Sequence, residues 1–210
     1  MAQNRFRRPA MLSPEQAEAI VGDEDPARRS EVAHTTAQAV VSGGREGADD
    51  PELIDRLITL VDRDGLDVVA EIWSQSPADT LPGALWRLYL LREWGSRDED
   101  TIAERYRLGA HRAEVAGVVA GVANPLGPNE VRQMLDAVLS GVYRGDLGVA
   151  LDRAASFLRV LATGSAMDAD WIDETDEGDA QEVTRRAGSL LDTAADLERA
   201  AALSRAGRLT

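Results

Sequence analysis

Four segments of this chain open on a small, hydroxylated or acidic residue directly before a proline: Ser13-Pro14, Asp25-Pro26, Asp50-Pro51 and Gly127-Pro128. Proline in the first turn of a helix gives up no intrahelical hydrogen bond, and its fixed φ already suits the helix. A short polar residue before it can accept from the free amides of that turn. Apolar residues at helical spacing follow these boundaries, and strict apolar–polar alternation appears nowhere. The sequence therefore predicts an all-α fold, an irregular bundle of about seven to nine helices in a single domain with loosely docked terminal helices.

The punctuation places the individual segments. Asp25-Pro26 opens a helix that runs to about Ser42 and stops at Gly43-Gly44. Asp50-Pro51 opens another, with Leu53, Leu57, Leu60 and Val61 on one face and Gly65 beyond its end. A short apolar helix from Leu66 to Trp73 leads into a loop from Ser74 to Asp79. The stretch Leu81–Trp94, closed by Gly95, is apolar almost all round, which marks a central helix touched on several sides. Two segments, about Asp98–Leu108 and Ala110–Ala123, come next. A helix from Pro128 then turns Val131, Leu135, Val138 and Leu139 inward, and another capped by Asp146 is expected to end at Gly164.

From Asp168 to Glu182 the chain carries acidic residues with no basic neighbour, which reads as a solvated loop. The expected organisation is then an arginine-bearing arm (Arg5, Arg7, Arg8) and two short helices over 1–50, and a helical core domain over 51–163. An acidic loop follows over 164–182, and an amphipathic C-terminal helix over 183–210 carries Val183, Ala187, Leu190, Leu191, Ala194, Leu197 and Ala201 on its apolar face.

The inventory excludes several chemistries. Among 210 residues there is no cysteine and no lysine; all 23 basic residues are arginine, against 37 acidic ones, for a net charge of −14. Without cysteine there is no disulfide, thiolate nucleophile or thiolate-held metal. Without lysine there is no P-loop lysine and no Schiff base on a lysine side chain. Neither G-x-S-x-G, G-x-G-x-x-G nor H-E-x-x-H occurs, and His34 and His111 are the two histidines. No cofactor is implied, and the chain reads as a non-enzyme more readily than as an enzyme. The N-terminal arginines precede no apolar run of the secretory type. The longest uncharged stretch, 115–129, is too short and too rich in proline to span a bilayer, so a soluble cytoplasmic protein is expected.

The candidate binding residues are Trp73, Trp86, Arg87, Tyr89, Arg92 and Trp94, an aromatic and basic group around the 74–79 loop. Such rings either fill a core of small aliphatic side chains or line a pocket with the arginines as polar contacts. Arg87, inside an apolar helix, must pair, with Glu71 as a candidate, or reach to solvent. Ala113, Gly117 and Gly121, spaced by four, would allow close helix approach within the fold or across a homodimer.

The metal-like spacings are incomplete. Glu31-x-x-His34 and the reversed His111-x-x-Glu114 do not make the paired Glu-x-x-His motif of a di-iron bundle. Asp62, Asp64, Gly65 and Glu71 imitate part of a calcium loop whose first ligand position is Leu60. No metal is expected. Thr101–Tyr106 sounds like the opening of a helix-turn-helix with Arg105, Arg107 and Arg112 nearby, but the spacing to Val115 is too long and the chain too acidic for easy duplex binding. The expectation is a non-catalytic helical interaction or regulatory protein whose protein partner presents a basic surface. The alternatives are a small-molecule protein or enzyme taking an anionic or apolar ligand at the tryptophans, and a DNA-binding regulator.

Overall fold

A computed structural model of the chain describes residues 25–42, 65–116, 126–173 and 177–210, the backbone alone being described over 113–116, 167–173 and 177–184. Among the described residues there are seven helices and no strand: α1 (Pro26–Ser42), α2 (Leu66–Trp73), α3 (Leu81–Arg97), α4 (Glu99–Ala116), α5 (Pro128–Leu139), α6 (Leu147–Asp173) and α7 (Glu177–Arg205). The arginine-bearing arm, the helices expected after Ser13-Pro14 and Asp50-Pro51, and Asp62 and Asp64 lie outside the described residues. So do Gly117 and Gly121, and the Ala113 side chain with them.

Local chemistry accounts for the helix starts. The Asp25 carboxylate accepts from the Ala27 amide at 3.0 Å, and Asp146 accepts from Val149 at 3.1 Å. Glu130 reaches back to the Gly127 amide at 2.8 Å, the acidic half of a capping box with Pro128 in the first turn. Thr80 caps α3 through the Gly83 amide, and its hydroxyl donates to the Pro77 carbonyl at 2.7 Å. Gly83 is required there, because a β-carbon would overlap that same Pro77 carbonyl.

The core forms around α3, which touches every other helix. Leu81, Ala84, Leu85, Leu88, Tyr89 and Leu91 are buried, as the nearly continuous apolar pattern requires. The backbone carbonyl of Thr210 accepts from the Leu81 amide at 2.8 Å, so the last residues return to the start of α3. The most extensive contact is between α6 and α7, an antiparallel hairpin. Ala150, Leu151, Ala154, Leu158 and Leu161 of α6 face Ala194, Leu197, Ala200 and Ala201 of α7. Arg159 clamps Glu198 with two bonds at 2.6 and 2.7 Å, and Arg205 pairs with Asp152.

Four boundaries differ from the sequence reading, the first being that α3 does not close at Gly95 but runs through it to Arg97. The two segments expected about Leu108 are joined into one helix as far as they are described: α4 runs unbroken to Ala116 with Gly109 in its middle, and 117–123 lie outside the described residues. Likewise α6 does not end at Gly164 but continues to Asp173. Both glycines serve helix crossing: Gly109 abuts the Val160 backbone and Gly164 abuts Arg105, where a side chain would not fit. The 164–182 segment is helical backbone over 164–173 and 177–182 rather than a loop, so the last helix begins at Glu177, ahead of 183. Mutual packing of two long helices outweighs the weak local penalty of like charges. Glu177 and Asp179 also occupy the first turn of α7, where the helix dipole favours negative charge.

Candidate functional site

The face of α3 turned toward the α6–α7 hairpin carries Trp86, Leu90 and Trp94, spaced by four so that they form one stripe. With Leu158 of α6, Leu190 and Thr193 of α7, and Ser74 and Ser76 of the preceding loop, they line an open groove of about 480 Å³. Its floor is apolar and its upper wall hydroxylated. Leu90 is 46% exposed and Leu191, next to Leu190, is 43% exposed. Trp86 and Trp94 are half-buried, each with part of its ring facing water.

The six candidate residues separate into three environments. Trp86, Trp94 and Arg87 share the groove. Trp73 is completely buried, and its indole N–H donates to the Thr36 hydroxyl at 3.0 Å, so this ring belongs to the core joining α1 and α2. Thr36 is satisfied in turn by donating to the carbonyls of its own helix at 2.8 and 3.0 Å. Tyr89 is buried and stacks on Trp86 with centroids 5.5 Å apart. Its hydroxyl donates to Asp67 at 2.9 Å, and burial together with that carboxylate pushes its pKa up to about 12. Tyr89 thus braces Trp86 from behind rather than lining the groove.

The arginines are both engaged. Arg87 donates to Asp196 of α7 at 2.8 and 2.7 Å and to the Gly83 carbonyl at 3.0 Å, not to Glu71. Its position on α3 aims the guanidinium across the groove wall at α7, and Glu71 on α2 stays exposed. Asp196 also holds Arg199. Arg92 points to another side of α3, where it meets Asp136 at 2.6 Å and Glu93 at 2.7 Å, and the Asp136 bond raises its pKa further. Neither guanidinium stands ready to clamp an anion without first giving up a carboxylate.

The other motifs remain apart. His34 shares a bond of 2.7 Å between its Nδ1 and the Ser30 carbonyl of its own helix, and Glu31 is exposed. His111 is exposed on α4. No group of three or more possible metal ligands gathers among the described residues. Arg107 is paired with Glu104 one turn earlier on a helix that has no turn where a helix-turn-helix would need one. No helix among the described residues is long and apolar enough to cross a membrane.

Sequence reasoning missed Leu90, Leu158, Leu190, Thr193 and Asp196. The four-residue spacing from Trp86 through Leu90 to Trp94 was a usable signal for the first. The others come together only through the fold. Comparison with protein-family models, with curated proteins and with solved structures finds no match to this chain.

Proposed function

We propose that this chain is a non-catalytic interaction protein that takes an apolar anchor of a basic protein segment into the Trp86–Leu90–Trp94 groove. The carrying observation is the groove itself, an open apolar trough with two half-buried tryptophans and an exposed leucine on the central helix. Tryptophan is prominent among residues that dominate binding energy at protein interfaces. A trough bordered by two packed helices suits an amphipathic helix laid along it. The charge of the partner follows from the charge of this chain. Asp192, between exposed Leu191 and groove-lining Thr193, is exposed and has no ion-pair partner among the described residues. The net charge of −14 steers basic segments toward the molecule at low ionic strength.

Titrating the full chain with a lysine-rich amphipathic peptide bearing leucine and phenylalanine on its apolar face tests this reading. Tryptophan emission is expected to shift to the blue as the peptide covers Trp86 and Trp94, and the response is expected to vanish in a Trp86→Phe, Trp94→Phe chain. Binding is expected to weaken but persist at high salt, because the anchor is apolar. An unchanged emission at saturating peptide, or binding wholly abolished by salt, contradicts a groove-centred interaction.

A further inference from the structure

A second concavity lies on an adjoining face of α3, past Leu91, which lines both, where α3, α4, α5 and α6 meet. It encloses about 310 Å³, at the lower end of the range of pockets that hold small organic molecules. Leu91, Ile102, Val131, Leu135 and Phe157 form its floor. Ile102, Val131, Leu135 and Phe157 are each no more than 3% exposed, and Phe157 is fixed by stacking on Tyr106 at 5.4 Å. These side chains are packed into the core, and the accessible apolar surface of the cleft comes from its rim, where Ala103 is exposed and Pro128 half-buried. Gly95 keeps one wall low, since nothing lies within 4 Å of where its side chain would project.

The rim is charged, and its pairing is uneven. Arg132 spans from α5 to Glu99 at the start of α4, and Arg92 is taken by Asp136 and Glu93. Both lining arginines are thus neutralised. Asp100, the remaining charged residue of the lining, is exposed and has no ion-pair partner among the described residues. A ligand entering over the apolar floor meets one uncompensated negative charge, on a molecule whose whole field is negative. We propose that this cleft is a binding site for a compact apolar amine, its hydrocarbon body against Ala103 and Pro128 at the mouth of the cleft and its ammonium on the Asp100 carboxylate. This cleft shares Leu91 with the tryptophan groove, but its proposed ligand does not depend on the function proposed for that groove.

Backbone-amide chemical shifts of the full chain, followed during titration, test this site with three probes of one shape: 2-phenylethylamine, 2-phenylethanol and 3-phenylpropionate. The amine is expected to move the amides of Gly95, Ile102 and Ala103, the alcohol to do so more weakly, and the carboxylate not at all. Asp100→Asn is expected to weaken the amine about fivefold, the upper range for an exposed ion pair, and to leave the alcohol unchanged. Ala103→Trp, an exposed position on the lining, is expected to abolish both. Amine affinity unaltered by Asp100→Asn, equal binding of the carboxylate, or no amide movement with any probe overturns the proposal. Because the fold is monitored in the same spectra, a variant that fails to fold is recognised, and the three probes on the unsubstituted chain then decide.

Discussion

Gly109 of α4 and Gly164 of α6 face each other's backbones: a β-carbon on Gly109 would overlap the Val160 carbonyl, and one on Gly164 would overlap the Arg105 carbonyl. The two helices cross with main chain against main chain, and Tyr106 and Phe157 stack one turn away. The obstructing atoms are backbone, so no rotamer change relieves the overlap. Gly109→Ala and Gly164→Ala are each expected to destabilise the fold by about 2–4 kcal/mol despite alanine's better helix propensity. Urea unfolding of the single variants checks this. The double variant is expected to cost less than the sum, because one separation of the helices relieves both overlaps.

The ion pair between Arg87 and Asp196 ties the central helix to the last one beside the groove. Both side chains are about one-fifth exposed, at 22% and 20%, so the pair is only partly screened. Asp196→Asn is expected to destabilise by about 1–2 kcal/mol, because Arg87 then keeps only neutral acceptors, the side-chain amide oxygen at 196 and the Gly83 carbonyl, and loses its counter-charge. Arg87→Met with Asp196→Leu is expected to recover most of that loss. A double-mutant cycle by thermal or chemical unfolding measures the coupling directly.

Much of this architecture was legible in the residues because its causes are local. Asp25, Asp146 and Pro128 mark helix starts by capping chemistry, and the all-round apolar pattern of Leu81–Trp94 marks the central helix. What the sequence concealed depended on contacts distant along the chain. Gly164 looked like a stop because glycine commonly ends helices, whereas its reason is the Arg105 backbone. Glu71 looked like the partner of Arg87 because it is close in sequence, whereas Asp196 is brought in by α7. The tryptophans could not be sorted into core and groove without knowing that Thr36 receives the Trp73 indole N–H. The acidic run hid two helix ends, since charge density by itself does not say whether a segment is packed on a neighbour.

At alkaline pH the Tyr89–Asp67 contact is the sensitive one. The Tyr89 pKa is raised from 10.0 to about 12 in the fold, so the folded state holds this proton more tightly than the unfolded chain. Its contribution is complete below pH 10 and is lost as pH rises from 10 through about 12. Stability measured by urea unfolding is expected to fall across that window, and Tyr89→Phe is expected to flatten the fall. Tyr106, raised chiefly by burial, adds a dependence of the same sign that survives in that variant.

At acidic pH the sign reverses for Glu198. The bidentate Arg159 bond lowers its pKa below the usual 4.5, so its stabilisation is present above that value and is lost as pH falls through the lower folded value. Both partners are 43% exposed, so the effect is expected to be small, roughly 0.5 kcal/mol. Glu198→Gln is expected to show a correspondingly shallower decline in unfolding free energy below pH 4.5, read from denaturant titrations at stepped pH.

Calorimetric titration of the lysine-rich amphipathic peptide into Leu90→Asp, with Val142→Asp as control, tests the docking groove most directly. Leu90 and Val142 are both exposed, at 46% and 60%, but Val142 lies outside the groove. The groove account expects Leu90→Asp to weaken binding at least about tenfold, a hot-spot loss, while Val142→Asp binds like the unsubstituted chain. Equal affinity for the two variants would contradict it.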